Sequence, residues 1–220
     1  MKGVLRAIRE TGSALLEIIL PSRARTSRTK YRNPEDLALT PTPHDVARIH
    51  VTTLLDYRSK AAEDTIRSLK YDGSKHAARL CAALLADYLR EEIASIHAYS
   101  PRQVLLIPVP LHKSRERERG FNQIERVLRE LPDEFRNGDI SRHETRGLVR
   151  IRRTKQQTHL SRAERLENVK DAFRAEENIA RGNYAIVIDD VVTTGATLSE
   201  CARALEAAGA KTSALALSRA

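Results

Sequence analysis

Tyr184-Ala-Ile-Val-Ile-Asp-Asp-Val-Val-Thr-Thr-Gly-Ala-Thr-Leu198 is the stretch that decides the fold. Ala185 to Ile188 form an apolar run of the kind that makes a strand buried on both faces. Two adjacent carboxylates, Asp189 and Asp190, come next, and a small polar turn of Thr193, Thr194, Gly195, Ala196 and Thr197 follows Val191 and Val192. Helical spacing then predicts a helix from Leu198 to about Ala208, with Gly209 as its stop. Strand, turn and helix in that order put the turn at the carboxyl end of a parallel strand, where open α/β sheets bind ligands. A helix start offers unpaired N–H groups and the positive end of its dipole, which together hold a phosphate. Gly195 lets backbone approach that phosphate, and the three threonines offer hydroxyls. The acid pair cannot also serve the phosphate, because like charges repel; it suits neutral hydroxyl donors or a cation. A phosphate at one end and a vicinal diol nearby describes a ribose 5-phosphate.

The stretch closely resembles the 5-phosphoribosyl-1-pyrophosphate (PRPP) motif of type I phosphoribosyltransferases. The resemblance implies that the two acids face the ribose hydroxyls and the turn cradles the 5-phosphate.

Outward from this stretch, the composition sets limits. A chain of 220 residues suits one α/β domain plus an extension. Glu17 interrupts the longest early apolar run, so no membrane span is expected; Glu10 and Glu17 also argue against a signal peptide. A cytoplasmic protein is the expectation. Net charge is +9 and uneven: residues 1–33 and residues 141–165 each carry eight Arg or Lys against two Glu, and the remainder is net acidic. One basic stretch would serve a polyphosphate, the other nucleic acid, a membrane surface or plain solvated surface. Cys81 and Cys201 lie in separate helical patterns and are expected as buried thiols.

Residues 1–20 place apolar groups at helical spacing, and residues 21–45, with four prolines among Arg, Ser and Thr, read as a linker. Residues 1–45 are therefore an amphipathic helix and basic linker ahead of a domain over 46–220. A strand is expected near Ile49, a short helix over Ala61–Leu69, and a longer helix capped by Ser74 and running to about Ile96. Val104 to Val109 make a second buried strand, followed by a basic loop over His112–Gly120 and a helix capped by Asn122 with Glu125 in capping-box position. Lys113, Arg119 and Gly120 put cations and a permissive backbone where a second ligand lobe is needed. Leu148 to Arg152 suggest an exposed strand; Arg153 to Thr158 lack apolar anchors and read as a mobile cationic lid; Ser161 with Glu164 caps a helix to about Val169; Lys211 to Leu217 make the last strand.

Three of these elements resemble one subgroup, the ComF family: Ile107-Pro-Val-Pro-Leu111 with Arg119-Gly-Phe-Asn-Gln123, then Arg152 to Arg165 with Glu167-Asn168-Val169 and Ala172-Phe173, and also Leu69-Lys70-Tyr71-Asp72-Gly73. The resemblance covers about residues 46–218. It implies an α/β, Rossmann-like type I phosphoribosyltransferase fold with a mostly parallel twisted sheet flanked by helices, and a link to competence and DNA uptake. Family members usually carry a cysteine-rich zinc-binding segment near the N-terminus; Pro21 to Arg28 stand there without cysteine, so no zinc is expected. The implied reaction is displacement at the ribose anomeric carbon with loss of pyrophosphate. Asp189 and Asp190 would hold the diol, directly or through Mg²⁺ and its water; Thr193, Thr194, Gly195, Ala196 and Thr197 would hold the 5-phosphate. Lys113, Arg119 and Gly120 would face pyrophosphate, and Arg153 and Lys155 would close over it. Thr193 cannot protonate a base, which argues against hypoxanthine or guanine as acceptor. A second reading keeps PRPP or nucleotide binding without turnover, as a sensor or DNA-uptake adaptor with DNA or the uptake machinery as partner. The oligomeric state stays open, a dimer being compatible.

Overall fold

The apolar runs of the chain become neighbouring strands, because a strand without a polar face must be covered on both sides. In the computed structural model, which describes residues 24–47, 49–154 and 161–219 without the side chains of Arg115, Glu118, Arg119 and Arg162, these are β2 (Ile49–Asp56), β3 (Val104–Pro108), β7 (Tyr184–Val192) and β8 (Lys211–Arg219). With β1 (Thr42–Val46) and β4 (Arg142–His143) they form a six-stranded sheet in the order β1-β2-β8-β7-β3-β4. All pairs are parallel except β1–β2. This is the expected Rossmann-like architecture, a mostly parallel sheet flanked by helices.

Alternation along β7 divides the core. Ile186 and Ile188 face α3 (Lys75–Tyr99) and α5 (Gln123–Arg129); Ala185 and Val187 face α9 (Ala196–Ala207). In α3, Leu80, Leu84, Leu85, Leu89 and Ile93 are buried, each burial stabilising the fold by about 1.5–3 kcal/mol. Ser74 accepts the N–H of Ala77 as cap of that helix. Gly73, at φ 60, ends α2 (Lys60–Asp72) and turns the chain into α3. The Ser74 cap agrees with the sequence reading, while α2 runs three residues past the expected Leu69. Cys81 and Cys201 are buried free thiols.

Three local expectations change. His112–Gly120 is a helix, α4 (Lys113–Arg119), and not a loop: His112 caps it by accepting the N–H of Ser114, and Gly120 closes it at φ 76. Charges without apolar spacing concealed a run of good helix formers. The strand expected as exposed is β5 (Leu148–Arg150), which pairs antiparallel with β6 (Phe173–Ala175) and buries Leu148 beside Phe173. Residues 24–45, within the stretch read as linker, hold helix α1 (Ala24–Lys30), a turn of 3₁₀ helix at Pro34–Asp36, and all of β1 but its last residue. Helix α1 lies on α2. Arg25 grips Asp72 with two hydrogen bonds of 2.8 Å, and Arg28 grips Asp64 at 2.7 and 2.9 Å. Arg32 adds an ion pair to Asp64 at 3.7 Å, and Thr29 is buried against Ser68. These arginines of the basic N-terminal stretch are thus engaged inside the fold. The helix expected over residues 1–20 lies outside the described residues. No described helix is long and apolar enough to cross a membrane.

Candidate functional site

The sheet reverses its direction of travel between β3 and β7. From β3 the chain proceeds through α4, α5 and α6 (Asp133–Arg136) to β4 on one side; from β7 it proceeds through α9 to β8 on the other. Helices α5 and α9 consequently cover opposite faces, and the loops leaving β3 and β7 part at the carboxyl edge to leave a crevice. The two expected ligand lobes, residues 109–120 and residues 189–197, meet at this reversal.

On the β7 side, Gly195 occupies the left-handed region at φ 73 and serves as N-cap of α9. The helix starts at Ala196, two residues before the expected Leu198, and Ser199 donates its N–H to the Gly195 carbonyl at 2.8 Å. Thr194 Oγ1 accepts the Ala196 N–H at 3.4 Å. The first turn, Ala196 to Leu198, carries amides that no carbonyl of the helix itself can serve. A Cβ on Gly195 would stand 2.5 Å from Val46 Cγ2. Ser199 Oγ donates to the Ala47 carbonyl at 2.8 Å, so Ala47 after β1 backs the start of α9.

Asp189 and Asp190 are consecutive in a strand, so they point to opposite faces. Asp190 turns toward α2 and α5. It is buried and accepts from Lys70 Nζ at 3.1 Å, from Gln123 Nε2 at 2.9 Å and from the Val191 N–H at 2.7 Å. Burial alone would lower the Lys70 pKa; the charge of Asp190 and the hydrogen bond to it overcome this, and Lys70 is raised. Asp189 turns toward α9 and remains half-buried, accepting the Asp190 N–H at 2.8 Å. Burial and the neighbouring charge of Asp190 push its carboxyl up to about 7, against a smaller relief from Lys70 and Arg150. The two acids, alike in sequence, are therefore unequal: one is held by a fixed cation, the other is poised to change charge near neutrality.

That inequality has a stability signature. A carboxyl whose folded pKa is raised contributes stability that is complete below its unfolded pKa and is lost as pH rises through about 7. Asp189→Asn is expected to gain stability relative to the parent as pH rises from about 5 to about 8. Denaturant midpoints across that range check this; parallel pH profiles for the two proteins would count against it.

Of the other expected site residues, Thr193 is exposed and its Oγ1 accepts from Arg165 Nη1 of α7 (Arg162–Val169) at 3.1 Å. Lys113 stands exposed at the start of α4, and Gly120 exposed at its end; the Arg119 side chain is outside the described residues. Arg153 is exposed, and among the described residues no hydrogen bond or ion pair joins it to either acid. Lys155 and most of the expected lid, residues 155–160, lie outside the described residues. The lid's described flank is held: Arg150 bonds Thr154 and stacks over Phe173 at 5.1 Å, and Arg152 donates to the carbonyls of Asn168 and Lys170. The Ser161–Glu164 capping box is present. Lys70, Gln123 and Arg165 were not singled out from the sequence as site residues. The signal for the first two was their place in the quoted motifs Leu69–Gly73 and Arg119–Gln123, where their chemistry could be asked about one residue at a time. Gly73 and Phe121 belong to one joint: Arg126 donates to the Gly73 carbonyl at 2.7 Å and stacks on Phe121 at 3.7 Å.

No family model matches the chain. It is similar to the DNA utilization protein YhgH of Salmonella typhimurium, with 35% identity over 133 residues, 60% of this chain and 56% of that protein. It is similar to the competence protein ComFC of Bacillus subtilis, with 39% identity over 107 residues, 49% of this chain and 40% of that protein. With ComFC of Streptococcus pneumoniae it shares 28% identity over 153 residues, 70% of this chain and 60% of that protein. The chain spans about half the length of the curated relatives it matches.

Proposed function

We propose that the chain binds PRPP at the β3–β7 crevice and transfers ribose 5-phosphate to an acceptor with release of pyrophosphate, in a process tied to DNA uptake or utilization. The observation that carries the reading is one stretch: two acids at the end of β7, then a glycine-capped helix start, set at the reversal point of a parallel sheet. The link to DNA rests on the names of the relatives, competence and DNA utilization proteins. It does not call on Arg25, Arg28 and Arg32, which pair with Asp72 and Asp64.

The amides at the start of α9, with the helix dipole behind them, would hold the 5-phosphate and orient the sugar. Asp189 and Asp190 lie one short turn away and would take the hydroxyls. The backbone of residues 109–113, with Lys113, would face the leaving pyrophosphate. Displacement at the anomeric carbon passes through an oxocarbenium-like state, so positioning and charge neutralisation carry the rate, with no covalent nucleophile. A hard divalent ion would arrive with the polyphosphate. Asp189, a hard oxygen donor without a fixed cation partner among the described residues, fits as its protein contact, directly or through water. Bound there, Mg²⁺ would neutralise charge on the pyrophosphate.

The test is incubation of the full chain with PRPP, Mg²⁺ and a panel of bases, reading pyrophosphate release, beside calorimetry with PRPP and with inorganic phosphate. Base-dependent release is expected. Binding without release moves the reading to a PRPP sensor; absence of PRPP binding overturns it.

A further inference from the structure

Gln123 is buried to within 5% of full coverage, yet only half of its carboxamide is used. Nε2 donates to Asp190 Oδ2 at 2.9 Å, while Oε1 is buried with no hydrogen-bond partner among the described residues. The amide cannot be turned around, because Oε1 would then face a carboxylate oxygen, acceptor against acceptor. Nor is the side chain free to swing. It opens α5, whose cap Asn122 accepts the N–H groups of Ile124 and Glu125 and donates to the Val109 carbonyl at 2.9 Å, just beyond β3 at the crevice. A buried acceptor left alone costs about 1–3 kcal/mol, a cost that a donor supplied by a ligand would cancel.

Asp190 shows which donor is missing. An ionised carboxylate has about four lone-pair sites. Lys70, Gln123 and the Val191 N–H already occupy Asp190. A vicinal diol brings two O–H donors, and Asp190 has room for about one of them. The orphan Oε1 adjoins the same carboxylate.

We infer that Gln123 is a specificity residue that reads the sugar: its Oε1 accepts one hydroxyl of the ligand's vicinal diol while Asp190 accepts the other. The site then prefers a ribose phosphate to its deoxy counterparts. This rests on the ribose-phosphate reading above. A site built to hydrogen-bond a hydroxyl rejects the analogue that lacks it, because its own buried acceptor is left unpaired.

The experiment measures affinity of the full chain for ribose 5-phosphate, its 2-deoxy and 3-deoxy analogues, and inorganic phosphate by calorimetry. The parent should favour ribose 5-phosphate over at least one deoxy analogue by about tenfold, the equivalent of one ordinary hydrogen bond. Gln123→Met should bring that ratio to within about twofold while leaving inorganic phosphate affinity unchanged, which a merely structural role would not do. Should the methionine variant fail to fold, the parent's own ratios still decide: equal affinity for all three sugars overturns the inference. A full sugar preference in Gln123→Met, or an equal loss for sugar phosphates and inorganic phosphate alike, also overturns it while leaving the PRPP reading intact. Phosphate binding by the parent with no ribose 5-phosphate binding overturns both.

Discussion

Gly195→Ala is expected to destabilise the protein by about 3 kcal/mol, from left-handed backbone strain of about 1–2 kcal/mol and overpacking of about 1–3 kcal/mol. The first contribution follows from φ 73 at this position, the second from a Cβ placed 2.5 Å from Val46 Cγ2, 2.9 Å from Val46 Cβ and 3.3 Å from the Val46 carbonyl oxygen. Val46 is buried at the end of β1 and cannot retreat into solvent. In a domain of this size the thermal midpoint should fall by about 10 °C. The turn must open to admit the methyl group, which moves the first amides of α9, and affinity for inorganic phosphate should drop by more than about tenfold. Val46→Ala combined with Gly195→Ala should return part of the stability, because it removes Cγ2 and leaves the backbone strain. Thermal unfolding of the two single variants and the double variant, with phosphate calorimetry on each, checks the assignment. A Gly195→Ala protein with parental midpoint and parental phosphate affinity would show that the turn has no need of a bare backbone.

The second large effect belongs to Lys70→Met. It leaves a carboxylate whose side chain is 5% exposed with two neutral donors and no cation. Breaking a buried pair from one side costs about 3–5 kcal/mol, and the partial exposure of Lys70 lowers the expectation to about 2–3 kcal/mol. Asp190→Asn added to Lys70→Met should recover most of that, since the double variant buries no charge. The coupling energy from this cycle, read by denaturant unfolding, is the measurement; two single effects that simply add would mean that the pair does not act as a unit. PRPP affinity should fall in both single variants and stay low in the double one, because the carboxylate meant for the sugar is either unheld or gone.

The parts of this protein that could be read ahead of the structure are those specified locally. Ala185 to Ile188 announce a doubly covered strand without reference to anything distant. Ser74, Ser161 with Glu164, and Gly73 mark helix ends through contacts within a few residues. The turn at the carboxyl end of β7 was readable for the same reason, since strand, turn and helix occur in sequence order. The contacts that distinguish the two acids are of another kind. Lys70 reaches Asp190 across 120 positions and Gln123 across 67, and no local pattern encodes such meetings. Residues 24–45 mislead because Arg, Ser, Thr and Pro are loop-forming by composition; here Arg25 and Arg28 find carboxylates on α2, and tertiary pairing overrides propensity. Helix α4 was concealed by its own charges, which obey no 3.6-residue rhythm.

The two outermost strands of the sheet have a consequence for assembly. An open sheet presents rows of unpaired backbone groups at its rims, each a template onto which another chain could add a strand. One rim here is β1, five residues long and antiparallel to its neighbour, with Pro43 in its ladder and exposed Asp45 close to its end. The other is β4, two residues long. A proline withholds a donor, a carboxylate resists burial, and two residues offer too little length for a stable ladder. Copies of this chain should therefore not join by fusing their sheets into one. Each rim of the six-stranded sheet thus resists the runaway strand addition that starts fibrils.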